Sequence, residues 1–488
     1  MNVLSIVTEK LWSHQKEAAK KALQRKNFAL FFEMGTGKTA TAIAMMRLWM
    51  WIERGPQTSL VICPKIVVKQ WGEEIDRWSK LGKNVVLLEG TGAKRAKILE
   101  QKMKEGRPMV IVANPATLLM KPVHKLLMTI KPKILVVDES HKFKNGTAKG
   151  TKALQMIANY TPYKLILTGT PILNSPMDLF SQYKILDNGE TFGRGFLEFR
   201  AKYFEDKNAG LIGTQKYFPN WVPRPGIERE FHHKIQESSM LAKKDDCLDL
   251  PPLIRKKVYV DMSPEQKRVY KELAKEFIAD YHGGVVVAQI ALTKILRLQQ
   301  VVSGFASVDH DFESLEISKN TDIFFDKVPR LEALKEILEE ITPNHKVIVW
   351  SCFKSNYRQI MSVCDELKIG YAQIFGGQTE RQREEDIESF RNNPKCRVMI
   401  ANQKAGGVGL NLIEASYCVY YTRSYSLEDD LQSEARNYRG GSEVHKKVTR
   451  IDLVTQGSVD QLILNALEKK QDLAENILEF DPKSVMLK

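Results

Sequence analysis

Phe32-Glu33-Met34-Gly35-Thr36-Gly37-Lys38-Thr39 is the stretch on which the reading of this chain turns. An apolar run at 28–32 precedes it and a helix-like run at 40–48 follows. Strand, glycine loop and helix in that order make a phosphate-binding loop. Backbone N–H groups of such a loop turn inward onto a triphosphate, and the helix N-terminus adds a favourable dipole. Gly35 and Gly37 allow close approach because no Cβ stands in the way. Lys38 is placed for the β- and γ-phosphates, and the Thr39 hydroxyl for a Mg2+ ion. Met34 and Thr36 complete the ATP cradle. Phe32 stands where the general pattern has Gly, so the loop meets only the shorter G-x-G-K-T form.

About a hundred residues on comes Ile134-Leu135-Val136-Val137-Asp138-Glu139-Ser140-His141. Four apolar residues read as a buried strand with two carboxylates at its C-terminal end. That edge is where ligands of open α/β sheets bind. Asp138 suits a Mg2+ ion held through water, and Glu139 suits an attacking water. The plain alternative, an acidic pair capping the next helix, has less force behind a phosphate loop.

A chain of 488 residues exceeds one ordinary core, and a hydrophobic share of 43% with 27% charged residues is that of a globular protein. No apolar run approaches the length of a membrane span, since Arg47 interrupts the best candidate at 43–52. Residues 1–10 lack the form of a secretory signal. The six cysteines are scattered, with no C-x-x-C pair and no zinc spacing, which fits a reducing compartment. His232-His233 reads as exposed or packed rather than ligating. The net charge of +14 favours a polyanionic partner, nucleic acid first.

The expected architecture is α/β. Strand candidates at 28–32, 60–63, 85–88, 109–113, 134–137 and 164–168 alternate with helical sequence in a first lobe, 1–185. Alternation of this kind builds a parallel sheet with helices on both faces. Residues 186–320 are rich in charges and aromatics and hold helical patterns at 264–280 and 287–300, read as protrusions. A second lobe, 321–455, repeats the layout with candidates at 347–351, 371–375, 397–401, 417–421 and 449–454. The tail, 456–488, reads as an amphipathic helical brace at 458–480.

In order along the chain, these motifs resemble those of the SWI/SNF-type branch of the superfamily-two helicase-like ATPases. Leu11-Trp12-Ser13-His14-Gln15 resembles the adenine-reading Q motif, with Gln15 as its defining residue. Ile62-Cys63-Pro64-Lys65, then Gln70-Trp71, resembles motif Ia, so the resemblance implies that Pro64 and Lys65 touch nucleic acid; Asn114 joins them in the DNA-facing set. Asp138 to Asn145 resembles the D-E-x-H box with its basic-aromatic extension. Leu167-Thr168-Gly169-Thr170-Pro171, then Asn174, resembles motif III, which implies a coupling role for Thr168, Gly169 and Thr170. Lys346 to Cys352 resembles motif IV. Gln403-Lys404-Ala405-Gly406-Gly407-Val408-Gly409-Leu410-Asn411 resembles motif V, and Gln432, Arg436 and Arg439 resemble motif VI. The implied fold is two RecA-like lobes with helical insertions between motifs III and IV.

Glycines after a strand offer backbone N–H groups to phosphate, from ATP or DNA. Lys404, Ala405, Gly406 and Gly407 are assigned to DNA, and Gly409 to ATP. Arg436 and Arg439 are three apart and would share a face if helical, two guanidinium forks suited to a triphosphate. A surface charge pair involving Glu434 is the alternative. Gln432 belongs with the coupling residues. The resemblance implies ATP bridged between Lys38 and the arginines, with hydrolysis driving movement along double-stranded DNA by backbone contacts.

The chain departs from the family pattern at several places. Tyr438 replaces a His and Ser442 a Gln in motif VI, Tyr425-Ser426-Leu427 stands for W-N-P, and His14 stands for an aromatic residue. These departures point to a divergent bacterial or phage member acting as a monomeric motor in the cytoplasm, the nucleus being the alternative. Protein partners would dock on the protrusions. A fork-directed or annealing helicase shares every catalytic residue, and a non-hydrolysing nucleic-acid scaffold is the reading of another class.

Overall fold

The computed structural model describes residues 7, 10–79, 84–211, 219–282, 288–308, 321–406 and 410–478. The chain divides into two compact units. The first comprises Met1–Lys207, Pro219–Leu248 and Lys470–Lys488, and the second Asn208–Phe218 and Asp249–Lys469.

The first unit is built on a seven-stranded, wholly parallel sheet. Its strands are β1 (Asn27–Phe32), β2 (Ser59–Ile62), β3 (Val85–Leu87), β4 (Val110–Ala113), β5 (Ile134–Asp138) and β6 (Tyr163–Leu167). A small antiparallel ribbon, β7 (Phe204–Asp206) with β8 (Trp221–Pro223), precedes the seventh, β9 (Ser239–Ala242). The spatial order is β3-β4-β2-β5-β6-β1-β9. Successive side chains of a strand point to opposite faces. Phe28, Leu30 and Phe32 accordingly enter one apolar cluster, and Ala29 and Phe31 the other. Burial on both faces is what makes these strands read as unbroken apolar runs.

The second unit holds a six-stranded parallel sheet. Its strands are β10 (Leu253–Val260), β13 (Lys346–Trp350), β14 (Gly370–Ile374), β15 (Cys396–Ala401), β16 (Ala415–Tyr420) and β17 (Val448–Thr455), in the order β10-β17-β16-β13-β15-β14. A separate hairpin pairs β11 (Phe305–Val308) with β12 (Thr321–Phe324). Here too the faces alternate, with Val347 and Val349 on one side and Ile348 and Trp350 on the other.

All eleven strands expected from the sequence are present to within about two residues. In the two large parallel sheets β9 and β10 were not foreseen, nor were the four strands of the small antiparallel pairs β7–β8 and β11–β12. Ser-Met-Leu-Ala of β9 is short and lies in charged sequence. β10 reads Leu-Ile-Arg-Lys-Lys-Val-Tyr-Val, and its basic run hides an eight-residue parallel pairing with β17.

The helical patterns of the middle region appear as Pro264–His282 and Ala288–Ser303. Tyr270, Leu273, Leu298 and Val302 from these helices pack in the second unit with Val459, Ile463 and Leu467. The last three belong to the helix Val459–Leu478 that was expected as a brace. Later residues of that helix, Leu473, Ala474 and Leu478, pack on the core of the first unit, and His232 Nδ1 lies 3.1 Å from the Leu478 carbonyl oxygen. All six cysteines are free thiols. No helix among the described residues is long and apolar enough to cross a membrane.

Candidate nucleotide and coupling site

Four motifs leave the first sheet side by side. β2, β5, β6 and β1 are consecutive neighbours, with Ile62 beside Val137, Asp138 beside Leu167, and Leu30 beside Leu167. Their C-terminal ends therefore bring Pro64 and Lys65, Asp138 and Glu139, Thr168 to Thr170, and the glycine loop to one edge.

The loop closes on its own lysine. Lys38 Nζ donates to the carbonyl oxygens of Phe32 at 2.8 Å and Glu33 at 3.2 Å. Gly37 is the N-cap of the helix Lys38–Ile52 and has φ of 82°. That left-handed conformation suits glycine. A Cβ there would lie 1.9 Å from Gln15 Nε2. Gln15, only 4% exposed, donates through Nε2 to the carbonyl oxygens of Thr36 and Gly37 at 3.2 and 3.3 Å. His14 Nε2 lies 2.9 Å from the same Thr36 oxygen, and its ring sits 5.3 Å from that of Phe32. His14 thus keeps an aromatic packing role and adds a polar contact. Thr36 is fully buried, with its hydroxyl bonded to the Glu33 carbonyl at 2.8 Å. Met34, Gly35 and Thr39 are partly exposed on the same turn.

The carboxylate pair follows β5. Glu139 has φ of 52°, a left-handed backbone at a residue with a side chain. Such strain is common at functional turns. Asp138 Oδ2 accepts from Trp71 Nε1 at 2.9 Å, and Oδ1 from the Glu139 backbone N–H at 3.0 Å. Burial pushes the Asp138 carboxyl up to about 6, helped by the neighbouring Glu139 charge; the Trp71 hydrogen bond and Lys38 pull the other way. Glu139 Oε2 is buried and meets no hydrogen-bond partner among the described residues. It lies 3.4 Å from His141 Nδ1, which sits closer, at 2.8 Å, to Thr168 Oγ1.

Motif III is stiffened from both sides. The Thr170 backbone N–H donates to Thr168 Oγ1 at 3.0 Å. A Cβ on Gly169 would meet the Phe32 carbonyl at 3.2 Å, so the glycine permits close passage beside the loop. Gln182 accepts from Ser140 Oγ at 2.8 Å and donates to the Pro171 carbonyl at 2.7 Å. Asp178 takes the N–H groups of Leu173 and Asn174.

These residues fit a triphosphate carrying a divalent cation. Mg2+ is typically held by one or two carboxylates with phosphates and water, without a protein cage. Asp138 offers such a carboxylate, and the orphaned Glu139 oxygen offers an acceptor for a water proton. Of the DNA-facing set, Lys65 is exposed and Pro64 buried. Asn114 is 5% exposed, and its Oδ1 accepts from Arg95 at 3.4 Å.

In the second unit the motifs also meet at strand ends. Cys352 after β13 donates to Gln403 Oε1 at 3.3 Å, and Gln403 Nε2 donates to Ser433 Oγ at 3.2 Å. Lys404 is exposed, and Ala405 and Gly406 lie in a short helix, Gln403–Gly406. Gly407 and Gly409 lie outside the described residues.

Arg436 and Arg439 do not share a helix face. The helix Leu427–Glu434 ends before them, because the chain turns at Ala435. The two guanidinium groups converge by another route. Arg436 Nη1 donates to the Leu410 carbonyl oxygen at 2.9 Å, and Arg439 Nη1 reaches the same oxygen at 3.4 Å. Arg436 is 5% exposed and also donates through Nε to the Gln432 carbonyl at 2.9 Å. Gln432 donates to Glu428 at 3.1 Å.

Glu434 is no surface partner of these arginines. It is 3% exposed and accepts from Arg450 at 2.6 Å and Arg255 at 3.0 Å. Asp430, one helical turn earlier, takes Arg450 at 3.0 Å and Arg423 at 2.7 Å. Both guanidiniums lie over the Tyr420 ring, at 4.3 and 4.9 Å. The helix that leads to Arg436 is thereby fastened to β16 and β17.

Sequence reasoning did not single out Trp71 as a partner of Asp138, nor Gln182, Asp178 or this ion cluster. The indole of Trp71 carried a signal, since it lies six residues beyond Lys65 on an amphipathic helix, but its target depends on strand order.

A model of the SNF2-related domain matches residues 14–305, and one of the helicase conserved C-terminal domain matches residues 329–441. Protein CHROMATIN REMODELING 5 of Arabidopsis thaliana is 27% identical over 477 residues, covering 94% of this chain and 26% of that protein. The ISWI chromatin-remodeling complex ATPase ISW1 of Saccharomyces cerevisiae is 25% identical over 468 residues, covering 93% of this chain and 39% of that protein. The chain thus spans well under half the length of these curated relatives. Among solved structures, the Sulfolobus solfataricus SWI2/SNF2 ATPase core in complex with dsDNA is 24% identical, covers 98% of this chain and 95% of its own, and has a TM-score of 0.43.

Proposed function

We propose that this chain, which belongs to the SNF2-related domain family, hydrolyses ATP in response to duplex DNA and uses the energy to move along it. One observation carries the reading. Lys38, Asp138, Glu139 and Thr168 follow neighbouring strands at a single edge of a parallel sheet, and the Glu139 Oε2 oxygen there has no hydrogen-bond partner among the described residues. A bound Mg2+ would supply charge neutralisation for the β- and γ-phosphates. Lys38 binds those phosphates, Thr39 and Asp138 would hold the ion, and Glu139 Oε2 orients and deprotonates the attacking water. Gln15 reads the base and reports on the loop through its two carbonyl contacts. Arg436 and Arg439 are the guanidinium groups that would offset charge developing on the transferred phosphate.

Backbone contacts at Pro64, Lys65, Asn114, Lys404, Ala405, Gly406 and Gly407 grip DNA without reading sequence. Affinity should fall steeply with salt, because phosphate contacts release counterions. The chain acts as a monomer in the cytoplasm of a bacterial or phage-infected cell; a nuclear site is the alternative that the names of the curated relatives favour. The decisive measurement is steady-state ATP hydrolysis with duplex DNA, single-stranded DNA and RNA. Stimulation greatest with duplex is expected, and equal rates with and without duplex would sink the reading.

A further inference from the structure

We propose that Trp71 is a positioning residue that ties the metal carboxylate Asp138 to the DNA-facing turn at Pro64 and Lys65. The inference rests on the roles given above to Asp138 and to that turn. The relevant geometry lies within one unit. β2 runs parallel to β5, with Ile62 beside Val137, so the chain leaving β2 emerges next to Asp138. It forms a single tight turn over Lys65–Val67 and then the helix Val68–Trp78. Val68, Trp71 and Ile75 make up the buried face of that helix, and all three pack in one apolar cluster with Val61 and Cys63.

Trp71 is 2% exposed, and its indole N–H donates to Asp138 Oδ2 at 2.9 Å. An apolar face needs no such donor, and a Phe ring would fill much of the same space. The indole N–H holds Oδ2 while the Glu139 backbone N–H holds Oδ1, and together they fix the plane of the carboxylate and so the direction of its remaining lone pairs. Close packing keeps this helix in step with its surroundings. Gly72 passes so near Leu87 that a Cβ would lie 3.1 Å from its Cδ2. A movement of the turn when Lys65 takes a phosphate is passed through one rigid helical turn to the indole, and from it to Asp138.

The same helix contains its own control. Trp78 Nε1 donates to Glu74 at 2.7 Å, so its indole N–H is engaged by Glu74 and not by Asp138, and its ring packs with Leu11, Ala40 and Ala44. The test compares Trp71→Phe and Trp78→Phe in the full chain, with melting temperature as the check of folding. Fluorescent ADP binding is titrated with Mg2+, which reads ion affinity without turnover. Trp71→Phe should raise the Mg2+ half-saturation by about fivefold or more and cut duplex stimulation of ATP hydrolysis at least threefold. Trp78→Phe should change neither by more than about twofold. Wild-type Mg2+ dependence in Trp71→Phe, or an equal shift in both variants, overturns the proposal.

A measurement on the wild-type chain covers the case in which Trp71→Phe does not fold. Linkage between the turn and the ion site is reciprocal. Saturating duplex should therefore tighten Mg2+ at least threefold in the ADP titration, and no change overturns the coupling. If the wild type shows no duplex stimulation, the translocase reading fails, while the Mg2+ shift of Trp71→Phe still judges the positioning role.

Discussion

Lys38 Nζ donates to the carbonyl oxygen of Phe32, six residues before it, at 2.8 Å. The ammonium group is thus folded back on its own loop, and a phosphate that recruits it must displace that bond and the one to Glu33. Lys38→Ala should abolish turnover and weaken nucleotide binding. Lys38→Arg should also fail, because a planar fork cannot copy a point charge in so tight a loop. Steady-state hydrolysis and fluorescent nucleotide titration check both.

Glu139→Gln keeps the shape of the side chain and removes its basicity. Turnover should fall by about 10²–10⁴, the usual range for loss of a general base. ATP binding should remain measurable, since Glu139 is not assigned to a phosphate. Turnover near that of the wild type would mean that Glu139 is misassigned.

Arg436 and Arg439 should behave differently from each other. Loss of a phosphate-stabilising arginine typically costs about 10³ or more in rate, so both Ala variants should be nearly inactive. Arg436 also braces the carbonyls of Gln432 and Leu410 from a buried position. Removing it should cost about 1–3 kcal/mol of stability, as buried acceptors lose their donor. Arg439→Ala should unfold close to wild type. Urea unfolding beside the hydrolysis assay separates the two effects.

Glu434 gives a contrast within one carboxylate. Glu434→Ala removes one carboxylate from the Arg450 guanidinium, whose side chain is only 5% exposed, and leaves it Asp430. Losing a buried hydrogen bond between charged groups should cost about 1.5–3 kcal/mol. Arg255, with 57% of its side chain exposed, bonds the same carboxylate. Arg255→Ala should cost at most about 1 kcal/mol. Chemical denaturation of the two variants tests the ranking.

Lys164 in β6 is 2% exposed, and burial lowers it from the usual lysine range to about 8, against the pull of Asp187 and Glu190. Its folded value lies below its unfolded one. Between pH 8 and the normal lysine value near 10.5 the unfolded chain therefore binds more protons, and stability rises with pH. Below pH 8 the folded protein carries the full burial penalty. The stability difference between Lys164→Met and wild type should shift in favour of wild type as pH rises through that window. Comparing the two chains cancels other titrations.

Much of this site was legible because its parts are local. A glycine loop between strand and helix, or a carboxylate pair after four apolar residues, is fixed by neighbours in sequence. Long parallel-sheet strands showed themselves as apolar runs for the same reason. What stayed hidden depends on which strands become neighbours. Trp71 meets Asp138 only because β2 lies beside β5, and Glu434 meets Arg450 only because the helix after β16 folds onto β17. The helical spacing of Arg436 and Arg439 misled because the chain turns at Ala435; their meeting at Leu410 is tertiary. β9 and β10 were missed because a short run and a basic run carry weak strand signals.

The late arrival of β9 has a practical consequence for anyone dissecting the molecule. The strand hydrogen-bonds along β1, and the Glu33 backbone N–H that begins the phosphate loop donates to the Ala242 carbonyl oxygen at 2.9 Å. Glu33 Oε2 in turn accepts the Lys244 N–H, 211 positions away. A gene fragment stopped near residue 185 would contain every nucleotide motif of the first sheet and still bare the flank of β1. Such a piece invites strand-to-strand clumping, whereas one carried through Leu248 keeps its selvedge.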